Sequence, residues 1–178
     1  MIIMHLPRGY RFIPTDFQLI RYYLLPRIMG EQLPCSIIKD IELYKYDPDQ
    51  LPVDTFKNCC RDDEAYFFAN IERRYPKGKV HRRTTLSGYW KNSGGEKLVH
   101  DEKNEVVGYK TTLVFYWGKT SSGTKTRWIM YEYRVNPQAF AATSPMDEGL
   151  RARMESYNSV PADTKFHSQE FRKQSIEY

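Results

Sequence analysis

The stretch VVGYKTTLVFYWGKTSSGTKTRWIMYEYRV, Val106 to Val135, decides the fold. Val106 to Trp117 and Thr124 to Val135 each read as one long strand, and Ser121-Ser122-Gly123 between them reads as the turn of a hairpin. Upstream, Leu86 to Lys91 and Glu64 to Ala69 are also β-prone, and Lys97-Leu98-Val99 and Val106-Val107-Gly108-Tyr109-Lys110 flank the turn-like Asp101-Glu102-Lys103-Asn104. Ile37 to Leu51 is broken by Pro48 and followed by Pro52, which leaves room only for short helical turns. One helix is expected, near the N-terminus. Thr15 or Asp16 would cap it, Leu19, Ile20, Tyr23 and Leu24 would share one face, and it would stop between Pro26 and Gly30.

The fold class is thus mainly β (α+β): a twisted antiparallel β-sheet packed against an N-terminal helix and short helical turns. Residues 4–138 are expected to form the domain. In residues 139–178 Pro, Ala, Ser and Asp accumulate and periodicity fades, so a flexible C-terminal tail is expected, with local helix around Glu148 to Ser156 at most.

Composition excludes several classes. The 178 residues contain no apolar run near the roughly 20 residues that a membrane-spanning helix needs. The start, Met1 to Pro7, lacks the charged and apolar regions of a secretory signal. Cys35 and the adjacent Cys59 and Cys60 suit no disulfide framework, which points to a reducing compartment. Gly118-Lys119-Thr120 follows a strand, yet position 113, where a phosphate loop requires glycine, is Leu113. His5, His81, His100 and His167 are scattered without metal-ligand spacing, and no nucleophile elbow occurs. Asp62-Asp63-Glu64 reads as a solvated acidic loop. No enzyme, cofactor or metal is implied.

Charge is more informative by position than in total. The formal net charge is +5, but residues 40 to 64 carry eight acids against three bases, whereas residues 73 to 134 carry fourteen bases against five acids. Such a focused basic segment suits a phosphate polymer. Its core is YPKGKVHRRTTLSGYWKNSGGEK, Tyr75 to Lys97, where bases and aromatics interleave on a strand that ends in the small loop Ser93-Gly94-Gly95. A strand edge fits the DNA major groove, and small residues let its backbone approach the bases. Lysines and arginines beside it would neutralise phosphates and set the register. Tyr89 and Trp90 could stack on a partner or brace the strand from the core.

Five blocks in order make these residues recognisable: LPRGYRFIPTD (6–16), IELYKYDPDQLP (41–52), EAYFFANIERRYPKG (64–78), RTTLSGYWKNSGGEK (83–97) and GYKTTLVFYWGKTSSGTKTRWIMYEYRV (108–135). The chain resembles the DNA-binding domain of the plant NAC transcription factors. That resemblance implies a non-enzymatic, nuclear protein that dimerises through its N-terminal arm and inserts one strand into the major groove of double-stranded DNA at sites with a CGT-type core. The partner in the dimer would be a second copy or another NAC protein, with no membrane involved. Carried over by position, Trp90, Lys91, Asn92, Ser93 and Gly94 match the groove-reading strand, and Arg83 the arginine before it, the first choice for an essential DNA contact. Lys79, Arg82, Lys97, Lys110, Lys119 and Lys125 are the accompanying basic candidates. Leu6, Pro7, Gly9, Tyr10 and Arg11 match the dimer arm, with Gln18 at the helix start.

The chain departs from its relatives where recognition resides. Asn92-Ser93 stands where the family has Ala-Thr, and Gly95 where it carries a polar residue. Asn92 brings an amide able to pair with adenine, so a shifted or relaxed site preference is expected. Val80 and Thr111 occupy positions that are commonly basic, and Phe17-Gln18 replaces a Glu pair. Gln18 could accept a hydrogen bond from Arg11 but offers no charge. These departures keep a second function open: a dimerisation partner with weak or no specific DNA binding that modulates full-length relatives.

Overall fold

The computed structural model describes residues 11–53, 64–69, 83–141 and 165–167. Thr15 begins the helix through a reciprocal capping box: Gln18 N donates to Thr15 Oγ1 (3.1 Å) and Thr15 N to Gln18 Oε1 (2.9 Å). Helix α1, Asp16–Gln18, continues into a π-helical stretch, Leu19–Leu24, and then α2, Leu25–Met29, which Gly30 ends in the left-handed conformation. The buried pairs Leu19-Ile20 and Leu24-Leu25 recur five residues apart, the spacing of the widened turn. Both pairs therefore reach the core from one side.

Strand β1, Lys39–Ile41, pairs in parallel with β2, Phe67–Ala69. This small sheet was not expected, and β1 lies where only helical turns were anticipated. The anticipated turns follow it as 3-10 segments, Leu43–Lys45 and Pro48–Gln50. The main sheet holds β3 (Gly88–Asn92), β4 (Lys97–His100), β5 (Val106–Trp117), β6 (Thr124–Val135) and β7 (Lys165–His167), in the order β3-β5-β6-β7 with β4 also on β5. All its pairings are antiparallel. The expected hairpin is β5–β6, with a register shift between Val114 and Tyr116. A five-residue helix α3, Pro137–Ala141, follows β6. Within the segment read as a flexible tail, β7 pairs with Ile129 to Tyr131 of β6. The helix expected near Glu148 to Ser156, together with Cys59 and Cys60, lies outside the described residues.

Directly opposed residues of paired strands share a face. One face of the main sheet carries Trp90, Leu113, Phe115, Trp128 and Met130, all buried. On the other face the helix covers one end, where Asp16 accepts from Lys110 Nζ (2.8 Å) and from the Tyr133 hydroxyl (2.6 Å). The acidic segment is not simply solvated. Asp47 and Glu64 are buried, and Tyr66 donates to Glu64 (2.9 Å), which corrects the reading of Glu64 as part of a solvated loop.

Candidate nucleic-acid interface

The edge that carries the recognition candidates is fastened at its start. Thr85 N donates to Gly88 O (2.9 Å) and Trp90 N to Arg83 O (2.8 Å), so residues 83–85 fold back along β3. Asp47, buried beneath, accepts from the Thr85 hydroxyl and from Ser87 N. A Cβ at Gly88 would stand 2.2 Å from the Tyr116 carbonyl oxygen, so only glycine lets β3 close onto β5 here. Gly88, Tyr89 and Trp90 are consequently buried, and the strand then emerges with Lys91 and Asn92 exposed.

Beyond Asn92 the edge bulges. Asn92 opposes Leu113 and Lys97 opposes Lys110, five residue steps on the edge against three on β5. Ser93 N still donates to Thr112 O (2.8 Å), and Gly94 takes a φ of +93°, which a side chain disfavours. Ser93, Gly94, Gly95 and Glu96 thereby stand out as an exposed projection between two collinear strands. The small residues are thus not the loop at the end of a strand that the sequence suggested. They interrupt a single edge.

Lys91, Tyr116 and Lys125 share a face with Tyr89. The Tyr89 and Tyr116 rings stack with centroids 5.4 Å apart, and Lys91 Nζ lies 5.7 Å from the Tyr116 centroid. Lys119 is exposed in the β5–β6 connection, as are Lys125 and, beyond the bulge, Lys97. None of these four lysines forms an ion pair with a described residue.

Three expected contacts are differently employed. Trp90 is buried against Phe115, with ring centroids 5.1 Å apart, so it braces the strand and its ring does not face a partner. Lys110 is held by Asp16, with its ammonium 4.4 Å from the Tyr131 centroid and 5.3 Å from that of Tyr133. Its charge is spent on joining helix to sheet. Arg83 is bound on both sides of its guanidinium: Nη2 to Glu132 Oε2 (2.5 Å), Nε to Glu132 Oε1 (3.3 Å) and Nη1 to Asn92 Oδ1. Tyr44 donates to the same Glu132 carboxylate (2.6 Å). Burial opposes the Arg83 charge, but Glu132 and then Tyr44 hold its pKa above the ordinary arginine value. Burial first, and Glu132 beside it second, push the Tyr44 phenol well above its ordinary 10.0.

Lys79, Arg82, Leu6, Pro7, Gly9 and Tyr10 lie outside the described residues. Arg11 is exposed. Gln18 Oε1 accepts from Thr15 N in the capping box, which employs one of the two lone pairs of the amide oxygen. Sequence reasoning missed Tyr44, Asp47 and Glu132. Glu132 carried a signal, since it alternates with Trp128 and Met130 on β6, and an acid at a core-facing position requires a partner.

Residues 7–135 match the family model described as "No apical meristem (NAM) protein". The chain belongs to the NAC family. NAC transcription factor 29 of Arabidopsis thaliana is 46% identical over 138 residues, covering 78% of this chain and 50% of that protein. NAC domain-containing protein 58 of Oryza sativa subsp. japonica is 47% identical over 134 residues, covering 73% of this chain and 33% of its own length. NAC domain-containing protein 96 of Arabidopsis thaliana is 37% identical over 162 residues, covering 90% of this chain and 55% of its own. The chain therefore spans between a third and somewhat over half the length of these NAC relatives. The match takes in the helix, the bulged edge and the β5–β6 hairpin together.

Proposed function

We propose that this NAC-domain chain is a sequence-specific DNA-binding transcription factor. It enters the major groove of CGT-core sites with the β3 edge and acts in the nucleus as a homodimer or heterodimer through its N-terminal arm. The observation that carries the reading is the open end of the sheet. There an exposed strand tip and a small-residue projection are flanked by Lys91, Lys97, Lys119 and Lys125, none ion-paired to a described residue. Lysines in that setting neutralise phosphates and orient the protein, while the tip meets the base edges. Lys79 and Arg82 complete the basic set in this reading.

Arg83 acts on DNA chiefly by fixing the tip. Its remaining N–H groups are available for one phosphate, while Glu132 and Asn92 hold the rest. Dimerisation rests on the arm, Leu6 to Arg11, with Gln18 at the helix start as a further hydrogen-bonding residue of that interface. Light scattering of the purified chain at micromolar concentration tests that part, and a strict monomer rules it out.

One observation favours the second reading, a dimerisation partner with weak specific binding. Arg83 and Lys110 both have carboxylate partners inside the protein, which lowers the net positive charge offered at the groove. Anisotropy titration with CGT-core DNA against a scrambled duplex, with Arg83→Ala as control, separates the two. Specific binding that the substitution abolishes supports the transcription-factor reading. Sequence-blind, salt-sensitive binding or none supports the alternative.

A further inference from the structure

The Arg83 contact gives Asn92 a definite polarity. An arginine guanidinium carries only donors, so the Asn92 amide must turn its oxygen to Arg83. Arg83 is itself fixed by the buried Glu132 carboxylate, which Tyr44 holds from the other side. The chain Tyr44–Glu132–Arg83–Asn92 runs from the core to the exposed strand tip. It leaves the Asn92 NH2 group without a partner among the described residues, on a side chain exposed to solvent.

We propose that Asn92 is a specificity-determining residue that reads DNA as a donor only and selects guanine at the position it meets. This rests on the DNA-binding reading above. A free asparagine amide offers a donor and an acceptor together and pairs with both N6 and N7 of adenine. With its oxygen committed, Asn92 presents two N–H donors. Guanine offers the two acceptors N7 and O6 to the major groove, thymine offers only O4, and cytosine offers a donor that opposes the amide. The adenine preference that the residue type suggests is therefore replaced by a guanine preference, because a remote glutamate has fixed which end of the amide faces outward.

The test is binding-site selection with the full chain, using duplexes randomised around a CGT core, for the wild type, Asn92→Ala and Asn92→Asp. The wild type is expected to favour guanine at one position by about fivefold or more, and Asn92→Ala to lose that preference alone. In Asn92→Asp one carboxylate oxygen stays with Arg83 and the other accepts from cytosine, so the preferred base becomes cytosine. Replacing the selected guanine by 7-deazaguanine in wild-type titrations is expected to weaken binding, and to leave Asn92→Ala unaffected, which keeps the test valid if Asn92→Asp fails to fold. An adenine preference that depends on Asn92 overturns the donor-only assignment. Unchanged preferences in Asn92→Ala overturn any role for the residue. A wild type that shows no sequence preference at all overturns the DNA-binding reading, and this inference with it.

Discussion

At the end of the sheet covered by the helix, Lys110 lies between the Asp16 carboxylate and the rings of Tyr131 and Tyr133. At the opposite end of the same face, Lys91 on β3 lies over Tyr116 on β5, Lys125 follows on β6, and no described carboxylate answers either charge. Both ends set lysine among tyrosines on adjacent strands. They differ in whether a helix brings an acid to meet the cation, and that decides what the charge does. At the covered end it holds layers together, and at the open end it faces solvent with no acid against it among the described residues. Counting bases along the chain treats the two lysines alike, and the fold does not.

Removing an acid that neutralises a cation is the most damaging way to break this division. Glu132→Ala leaves the Arg83 guanidinium and the Tyr44 hydroxyl without their shared partner in a largely buried setting, and is expected to cost about 3–5 kcal/mol. Urea denaturation measures it, and a cost below 1 kcal/mol would show that Arg83 finds another partner. At the covered end Lys110→Gln is expected to lower stability by about 1–2 kcal/mol and to leave the salt dependence of DNA binding unchanged, since this charge is already satisfied. A shallower salt slope in that variant would mean that Lys110 leaves Asp16 to meet phosphate.

A smaller effect depends on pH. The folded-state pKa of Tyr44 is raised, so the bond to Glu132 stabilises fully below pH 10.0, the ordinary tyrosine value, and its contribution falls as pH rises beyond that. Tyr44→Phe is expected to cost about 1.5 kcal/mol near neutral pH, with the gap to wild type narrowing above that value. Thermal melts at stepped alkaline pH test this, and a gap that widens refutes it. The mildest change in stability falls at the open end. Lys125→Gln should alter stability by less than about 0.5 kcal/mol yet reduce the salt slope of DNA binding by about 0.9. Fluorescence anisotropy at several salt concentrations reads the slope directly.

The hairpin was legible because each strand is long and its turn is local: Trp117 and Thr124 pair across a short connection. The helix start was legible for the same reason, since Thr15 and Gln18 are three residues apart. The parallel pair β1–β2 was not. Each strand has three residues, and Lys39-Asp40-Ile41 becomes a strand only because Phe67 to Ala69 lies beside it. The interface was half legible. Composition located the basic edge and its small residues, but Arg83 meets Glu132 across 49 positions and Lys110 meets Asp16 across 94. No local pattern encodes such pairs. They arise when the sheet stacks β6 beside β5 and the helix crosses one end, so which cations remain available is a property of the tertiary fold.

The projecting segment is tied to the strands that carry it by polar contacts at its two ends: Ser93 N donates to Thr112 O of β5, and the Glu96 carboxylate accepts from Arg134 Nε (2.9 Å) and Nη2 (2.7 Å) of β6. Gly94 and Gly95, exposed between those two contacts, lie outside the hydrophobic packing and outside the anchoring turn at Thr85 to Gly88. The domain therefore behaves as a fixed handle with an exchangeable bit. An engineer could exchange the glycines of that bit without touching the core, provided that residue 96 keeps the acid that Arg134 holds.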